Sequence, residues 1–172
     1  MSLLGTVLNA GKGLVVKELA KKVGLSDDRA ISALSLIVPA LSMGMNRNAA
    51  DKNGLESLVN VIRSGNHRDY VDSPETIGSS ETVADGNGIL GHIFGSKDVS
   101  RAVAGFISGK TGINTDTIKK MLPMVAAATL GTIEKEDEET SRSEGIGNLV
   151  KNLLGTDEDS GLDKILSLAK GL

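Results

Sequence analysis

Residues 24–45 read GLSDDRAISALSLIVPALSMGM, and residues 112–130 read GINTDTIKKMLPMVAAATL. Each stretch places a glycine and an aliphatic residue before a capping side chain, Ser26 or Asn114, and then enters a nearly uncharged apolar run that holds a proline, Pro39 or Pro123. Glycine suits the position just past a helix, where a positive φ costs it little. Ser and Asn accept the unpaired N–H groups of the helix that follows. In the first stretch Asp27 and Asp28 then fall in a first turn, where the helix dipole favours negative charge. Ile31, Leu34, Val38, Leu41 and Met45 share one face, and Ala30, Ala33, Ile37 and Ala40 cover most of the rest; a helix apolar nearly all round belongs in the middle of a bundle. Ile118, Met121, Leu122, Val125 and Leu130 give the second stretch the same character. A proline inside such a helix removes one backbone donor and clashes one turn back, which predicts a kink or a restart at Pro39 and Pro123. Glycine to proline is 15 residues in the first stretch (24 to 39) and 11 in the second (112 to 123). The difference is close to one helical turn, so the proline keeps its face. The fold read from this is all-α, a multihelical bundle built from two similar helix-turn-helix units with proline-interrupted central helices.

Working outward, residues 2–10 and 13–23 read as helical with a bend near Gly11 and Gly13. Leu14, Leu19 and Val23 fall near one face, and Lys17, Lys21 and Lys22 on the solvated side. Ahead of the second stretch, Ser96 caps a helix with Val99, Val103, Phe106 and Ile107 on one face. Residues 51–64 predict a short helix with Leu55, Leu58, Val59 and Ile62 inward. A single domain over 1–172 then divides into a first helical unit (1–64), a flexible polar connector that includes Pro74 (65–87), a second helical unit (88–134), an acidic linker (135–145) and short C-terminal helices (146–172). The last are expected to dock on the bundle, since helices this short are marginal alone.

Composition excludes several classes. A chain of 172 residues buries enough surface for one core without staples. With Tyr70, Phe94 and Phe106 as its only aromatics it lacks the usual sheet formers. The absence of cysteine removes disulfides, thiol nucleophiles and thiolate metal sites. Two histidines make a zinc site improbable, and neither a metal nor a cofactor is expected. Residues 1–70 carry nine basic and six acidic side chains, residues 71–172 ten and sixteen, so neither half has the charge of a nucleic-acid binder. The longest uncharged run, between Arg29 and Arg47, falls short of the roughly 20 apolar residues that cross a membrane. No secretory signal is visible at the N-terminus, and a cytoplasmic setting is the default.

Four motifs carry a chemical reading and a structural one. Gly86, Gly88 and Gly91 spell the spacing of a dinucleotide loop, but that loop needs a preceding buried strand, and Ser79 to Asp85 is mostly polar. A repeated turn device explains these glycines better. His92 has Asp98 as its nearest downstream acid and is expected to pack at a helix edge; His67, beside Arg68 and Asp69, is expected to be exposed. Asp157, Asp159 and Gly161 resemble a calcium loop only faintly, because Leu168 stands where the closing glutamate belongs. Lys17, Lys21 and Lys22 before a glycine turn imitate a DNA reader, yet the next helix is too apolar to face bases and opens with two aspartates.

From Gly88 to Thr132 the wording becomes specific: Gly-Ile-Leu-Gly-His-Ile-Phe-Gly from Gly88, then Thr111-Gly112-Ile113, and Met121-Leu122-Pro123-Met124 leading to Leu130-Gly131. This resembles the YidB-like bacterial family, domain of unknown function 937, over about 45 residues, with the Gly145–Leu154 and Gly161–Leu172 tail similar in style. The resemblance implies a multihelical, repeat-built fold and brings no activity, cofactor or catalytic residue with it. The expectation for function is a non-enzymatic helical protein that binds an unknown protein partner or itself. Nucleic-acid binding through the Lys17–Lys22 helix and carriage of a small ligand are the alternatives.

Overall fold

The computed structural model describes residues 3–49 and 69–140, together with positions 56, 57, 60 and 67. Every regular element among the described residues is helical. Helix α1 (Leu3–Asn9) passes through a 3₁₀ turn (Ala10–Gly13) into α2 (Leu14–Val23), and α3 (Asp27–Ala49) follows. After a short α4 (Asp69–Asp72) and a 3₁₀ turn (Pro74–Thr76) come α5 (Ser80–Phe94), α6 (Lys97–Thr111) and α7 (Thr115–Thr140). The helix expected over 51–64, apart from three of its positions, and the C-terminal pieces 146–172 lie outside the described residues.

The two glycine turns are built as their residues dictate. Gly24 and Gly112 both end a helix in the left-handed region, at φ 72 and φ 74. Leu25 N–H returns to the Ala20 carbonyl at 2.9 Å, which satisfies an end-of-helix acceptor. In the second turn the Ile113 N–H goes instead to the Thr111 hydroxyl at 3.2 Å. Ser26 Oγ accepts the Arg29 N–H at 3.3 Å and Asn114 Oδ1 the Asp116 N–H at 2.8 Å, so both caps act as predicted. Across the molecule, the Arg29 guanidinium donates to the Gly112 carbonyl at 3.4 Å and ties the first turn to the second.

The apolar stretches lie at the centre. In α7 every residue from Met121 to Ile133 is buried, and in α3 every residue from Ala40 to Met45. Helix α5 packs along α7, which also meets α2, α3 and α6. Both helices continue through their prolines, so Pro39 and Pro123 do not restart a helix. Packing against neighbouring helices holds the chain helical where one backbone hydrogen bond is missing.

Some predicted faces are shifted. Gly11 and Lys12 both adopt left-handed backbone, at φ 58 and φ 60, and the bend re-aims α2. Its buried face is Val15, Val16, Leu19 and Ala20, while Leu14 is 50% exposed. Ile31 is 39% exposed because the first turns of α3 project beyond their neighbours, with only Ala30 buried among residues 27–32. Phe106 is half-buried, with the Lys110 ammonium 5.6 Å above its ring. Helix α5 opens at Ser80, eight residues before the expected start at Gly88. Ser79 Oγ accepts the Thr82 N–H at 3.2 Å, and the Thr82 hydroxyl donates to the Thr76 carbonyl at 2.7 Å. The polar residues read as connector are thus a helix cap. Tyr70, Val71 and Ile77 from the same stretch are buried in the core. At the far end α7 runs on through Thr140, into the stretch expected to be an acidic linker.

Candidate interaction groove

Helices α5, α6 and α7 diverge around Pro123 and leave an open hollow of about 700 Å³. Its floor is Leu90 and Gly91 of α5 with Leu122 and Pro123 of α7. Lys97 and Arg101 of α6 and Lys119 of α7 stand at its rim. A second hollow of about 410 Å³ shares Asn87, Lys119 and Pro123 with the first, so the two form one groove. Val23, Val83 and Met124 line its apolar part, and Lys22 and Lys120 add two more cations. No carboxylate lines either hollow.

Local structure places each cation. Lys119 and Lys120 lie on the first turns of α7, before its fully buried stretch, where one side still faces water. Lys97 and Arg101 are one turn apart on α6, whose start is fixed by Ser96 Oγ accepting the Val99 N–H at 3.3 Å. Lys22 lays its aliphatic stem against Gly78, which at φ 96 has no side chain to block it. Arg101 also meets Asp98 at 3.5 Å, but both groups are largely solvated and the pair is weak. The groove therefore joins an apolar floor to a rim of positive charge, a chemistry that suits an anionic ligand with aliphatic parts.

A second cluster surrounds His67, which is buried and not exposed as its polar neighbours implied. Its backbone carbonyl lies against Gly131, where any side chain would collide with it, and its N–H donates to Glu134 Oε2 at 3.1 Å. The ring Nδ1 is 3.4 Å from the same oxygen. Burial lowers the imidazole pKa below its ordinary value, and the Asp85 carboxylate works against that shift. The Tyr70 ring is tilted 51° to the imidazole, with centroids 6.4 Å apart. Its hydroxyl donates to Asp85 Oδ2 at 2.5 Å. Burial first, then that bond, pushes the phenol up to about 12, so it holds its proton at any physiological pH. Lys135 bonds Asp72 at 2.8 Å on the same side. Neither hollow of the groove reaches His67 or Tyr70. The cluster fastens the segment around α4 to α5 and α7.

The remaining motif residues fall elsewhere. Gly86, Gly88 and Gly91 lie inside α5, neither in a phosphate loop nor in the turn expected of them, because Gly86 serves to bring α5 against the Pro123 carbonyl of α7. His92 is half-buried in the last turn of α5, and the Asp98 side chain is mostly solvated. Lys17 and Lys21 are exposed on α2, outside the groove that Lys22 joins. Asp157, Asp159 and Gly161 lie outside the described residues. The groove itself escaped sequence reading, since its cations come from α2, α6 and α7 and no local run gathers them. The pairing of Lys97 with Arg101 one turn on, and the Lys119–Lys120 doublet, were its available signals.

No described helix is long and apolar enough to cross a membrane. Proline-bearing central helices, wrapped by shorter ones and carrying a basic surface groove, define an all-α multihelical protein. The chain belongs to the family described as bacterial protein of unknown function (DUF937), whose model matches residues 6–136. The match agrees with the resemblance drawn at Gly88–Thr132 and extends it back through the first proline helix to residue 6. No curated protein and no solved structure matches the chain.

Proposed function

We propose that this protein is a non-enzymatic binding domain whose working surface is the α2–α5–α6–α7 groove, and that it takes an acidic protein segment carrying aliphatic side chains. The observation that carries this reading is the groove's lining: five cationic side chains and no carboxylate, over Leu90, Leu122, Val23 and Met124, in a chain of net charge −3. Complementary charge steers a partner and selects against wrong ones, while an apolar floor supplies contact area. The groove's mixed lining favours a protein segment over nucleic acid, whose phosphates need cations and leave an apolar floor unused. The start of α3 further favours it, because the exposed first turn of the helix after the Lys17–Lys22 segment opens with Asp27 and Asp28, which phosphates repel. A cytoplasmic setting and descent from a duplicated helix-turn-helix unit belong to the same proposal, the latter supported by the matching backbone of Gly24 and Gly112 before the two proline helices.

The test compares what the wild-type chain, an Arg101→Glu/Lys119→Glu variant and a Lys17→Glu/Lys21→Glu control capture from one lysate, with and without nuclease. The expected result is a protein species retained by wild type and control, lost by the groove variant and indifferent to nuclease. Equal capture by all three chains overturns the proposal.

A further inference from the structure

We propose that the chain supplies its own groove occupant: residues 156–166, TDEDSGLDKIL, bind the groove in cis, and an external acidic partner acts by displacing them. The inference rests on the reading of the groove given above.

Three observations lead to it. The first is complementarity. Residues 156–166 carry Asp157, Glu158, Asp159 and Asp163 against Lys164 alone, and Leu162, Ile165 and Leu166 follow at the spacing of one helical face. Carboxylates with an aliphatic stripe are what a cationic rim over Leu90 and Leu122 accepts. The second is reach. Helix α7 is described as far as Thr140, and Lys119 lies 21 residues back along it, about 32 Å at 1.5 Å per residue. Even with residues 146–154 helical, as their pattern predicts, the 16 residues from Thr140 to Thr156 can span roughly 38 Å, so the segment can return to the groove of its own molecule. The third is elimination of the other acidic run. Glu134 to Glu139 belong to α7 itself, and their helix holds them at least about 21 Å along its axis from Lys120. They cannot fold back onto the groove they share a helix with.

Tethering makes the contact effective even if it is weak. A short connection holds the segment at about millimolar effective concentration, so a docking constant a few-fold below that already leaves the groove mostly filled. Such an occupant would screen the rim cations from unrelated anions and set a threshold that a partner must exceed. It would also give the C-terminal residues the docking place that their short amphipathic pattern calls for.

The experiment uses the full chain and a full-length variant with Asp157→Asn, Glu158→Gln, Asp159→Asn and Asp163→Asn. Lysine acylation rates are read residue by residue by mass spectrometry, and a labelled synthetic peptide of residues 155–168 is titrated into each chain. At low salt, Lys97 and Lys119 are expected to react several-fold faster in the neutralised variant, with Lys12 and Lys17 unchanged. The gain should vanish in molar salt, where charges beyond contact range are screened. The peptide should bind the variant more tightly than the wild type, and lose binding when Arg101→Glu and Lys119→Glu are added. Equal lysine rates in the two chains overturn the inference; if the peptide still binds both and depends on Arg101 and Lys119, the groove reading survives it. Peptide binding to neither chain overturns both.

Discussion

Gly86 shows how a single missing methyl group sets a helix crossing. A Cβ at this position would collide with the Pro123 carbonyl, backbone against backbone, so α5 and α7 can approach as they do only with glycine there. Gly88, two residues on, faces open space. In an ordinary helix interior, glycine to alanine gains about 0.5–1 kcal/mol. Gly88→Ala should show that gain in chemical denaturation. Gly86→Ala should instead lose about 1–3 kcal/mol, the usual cost of overpacking, and equal effects at the two sites would remove Gly86 from the account. Tyr70 gives a prediction with a pH sign. Its phenol is raised from 10.0 to about 12 in the folded chain, so between those values the unfolded state has lost a proton that the folded state keeps. Stability from this group is full below pH 10 and falls as pH rises toward about 12. Tyr70→Phe should cost about 1 kcal/mol at neutral pH through the lost bond to Asp85, and its deficit against wild type should shrink over that alkaline window. A deficit that stays constant with pH would show that the hydroxyl is not held as described.

At the scale of elements, the residues that announced themselves were those whose local chemistry is decisive. Gly24, Ser26, Gly112, Asn114 and Ser96 end or begin helices where predicted, because a left-handed backbone or an orphan N–H selects its residue without help from the rest of the chain. The apolar runs around Pro39 and Pro123 went to the centre because nothing else could cover them. Legibility failed where the deciding partner is distant. His67 looks solvated beside Arg68 and Asp69, and is buried because Gly131, sixty-four residues on, makes room for its carbonyl. The start of α5 was hidden differently: Ser79, Ser80, Glu81 and Thr82 have the composition of a loop, and only the Ser79 cap makes them a first turn. That cap can be weighed. Ser79→Ala should cost about 1 kcal/mol and raise amide exchange in residues 80–83 more than at the buried end of the helix. Uniform exchange along α5 would mean that the packing of Ile89 and Ile93, and not the cap, sets where the helix begins.

For the molecule as a whole, net charge concealed the feature that matters most. The half that reads as acidic, residues 71–172, contributes Lys97, Arg101, Lys119 and Lys120, four of the five groove cations. Folding sorts these charges to one side, where Leu122, Pro123 and Met124 from the buried stretch of α7 meet them as an apolar floor. Gathering like charges around a groove works against the folded state, since each ammonium raises the electrostatic cost of the next. A surface shaped for stability alone would intersperse carboxylates there. In a chain whose Asp157, Glu158, Asp159 and Asp163 are amides, so that the tail no longer offsets the rim, replacing Lys119 and Lys120 with glutamine should therefore raise the melting temperature at low ionic strength, with the gain fading as salt screens the rim. The same variant should lose partner capture. Stability and binding moving in opposite directions is what a site kept for function predicts. If the double substitution lowers the melting temperature at low salt, the cations are already neutralised within the fold, and the groove is an ordinary solvated surface.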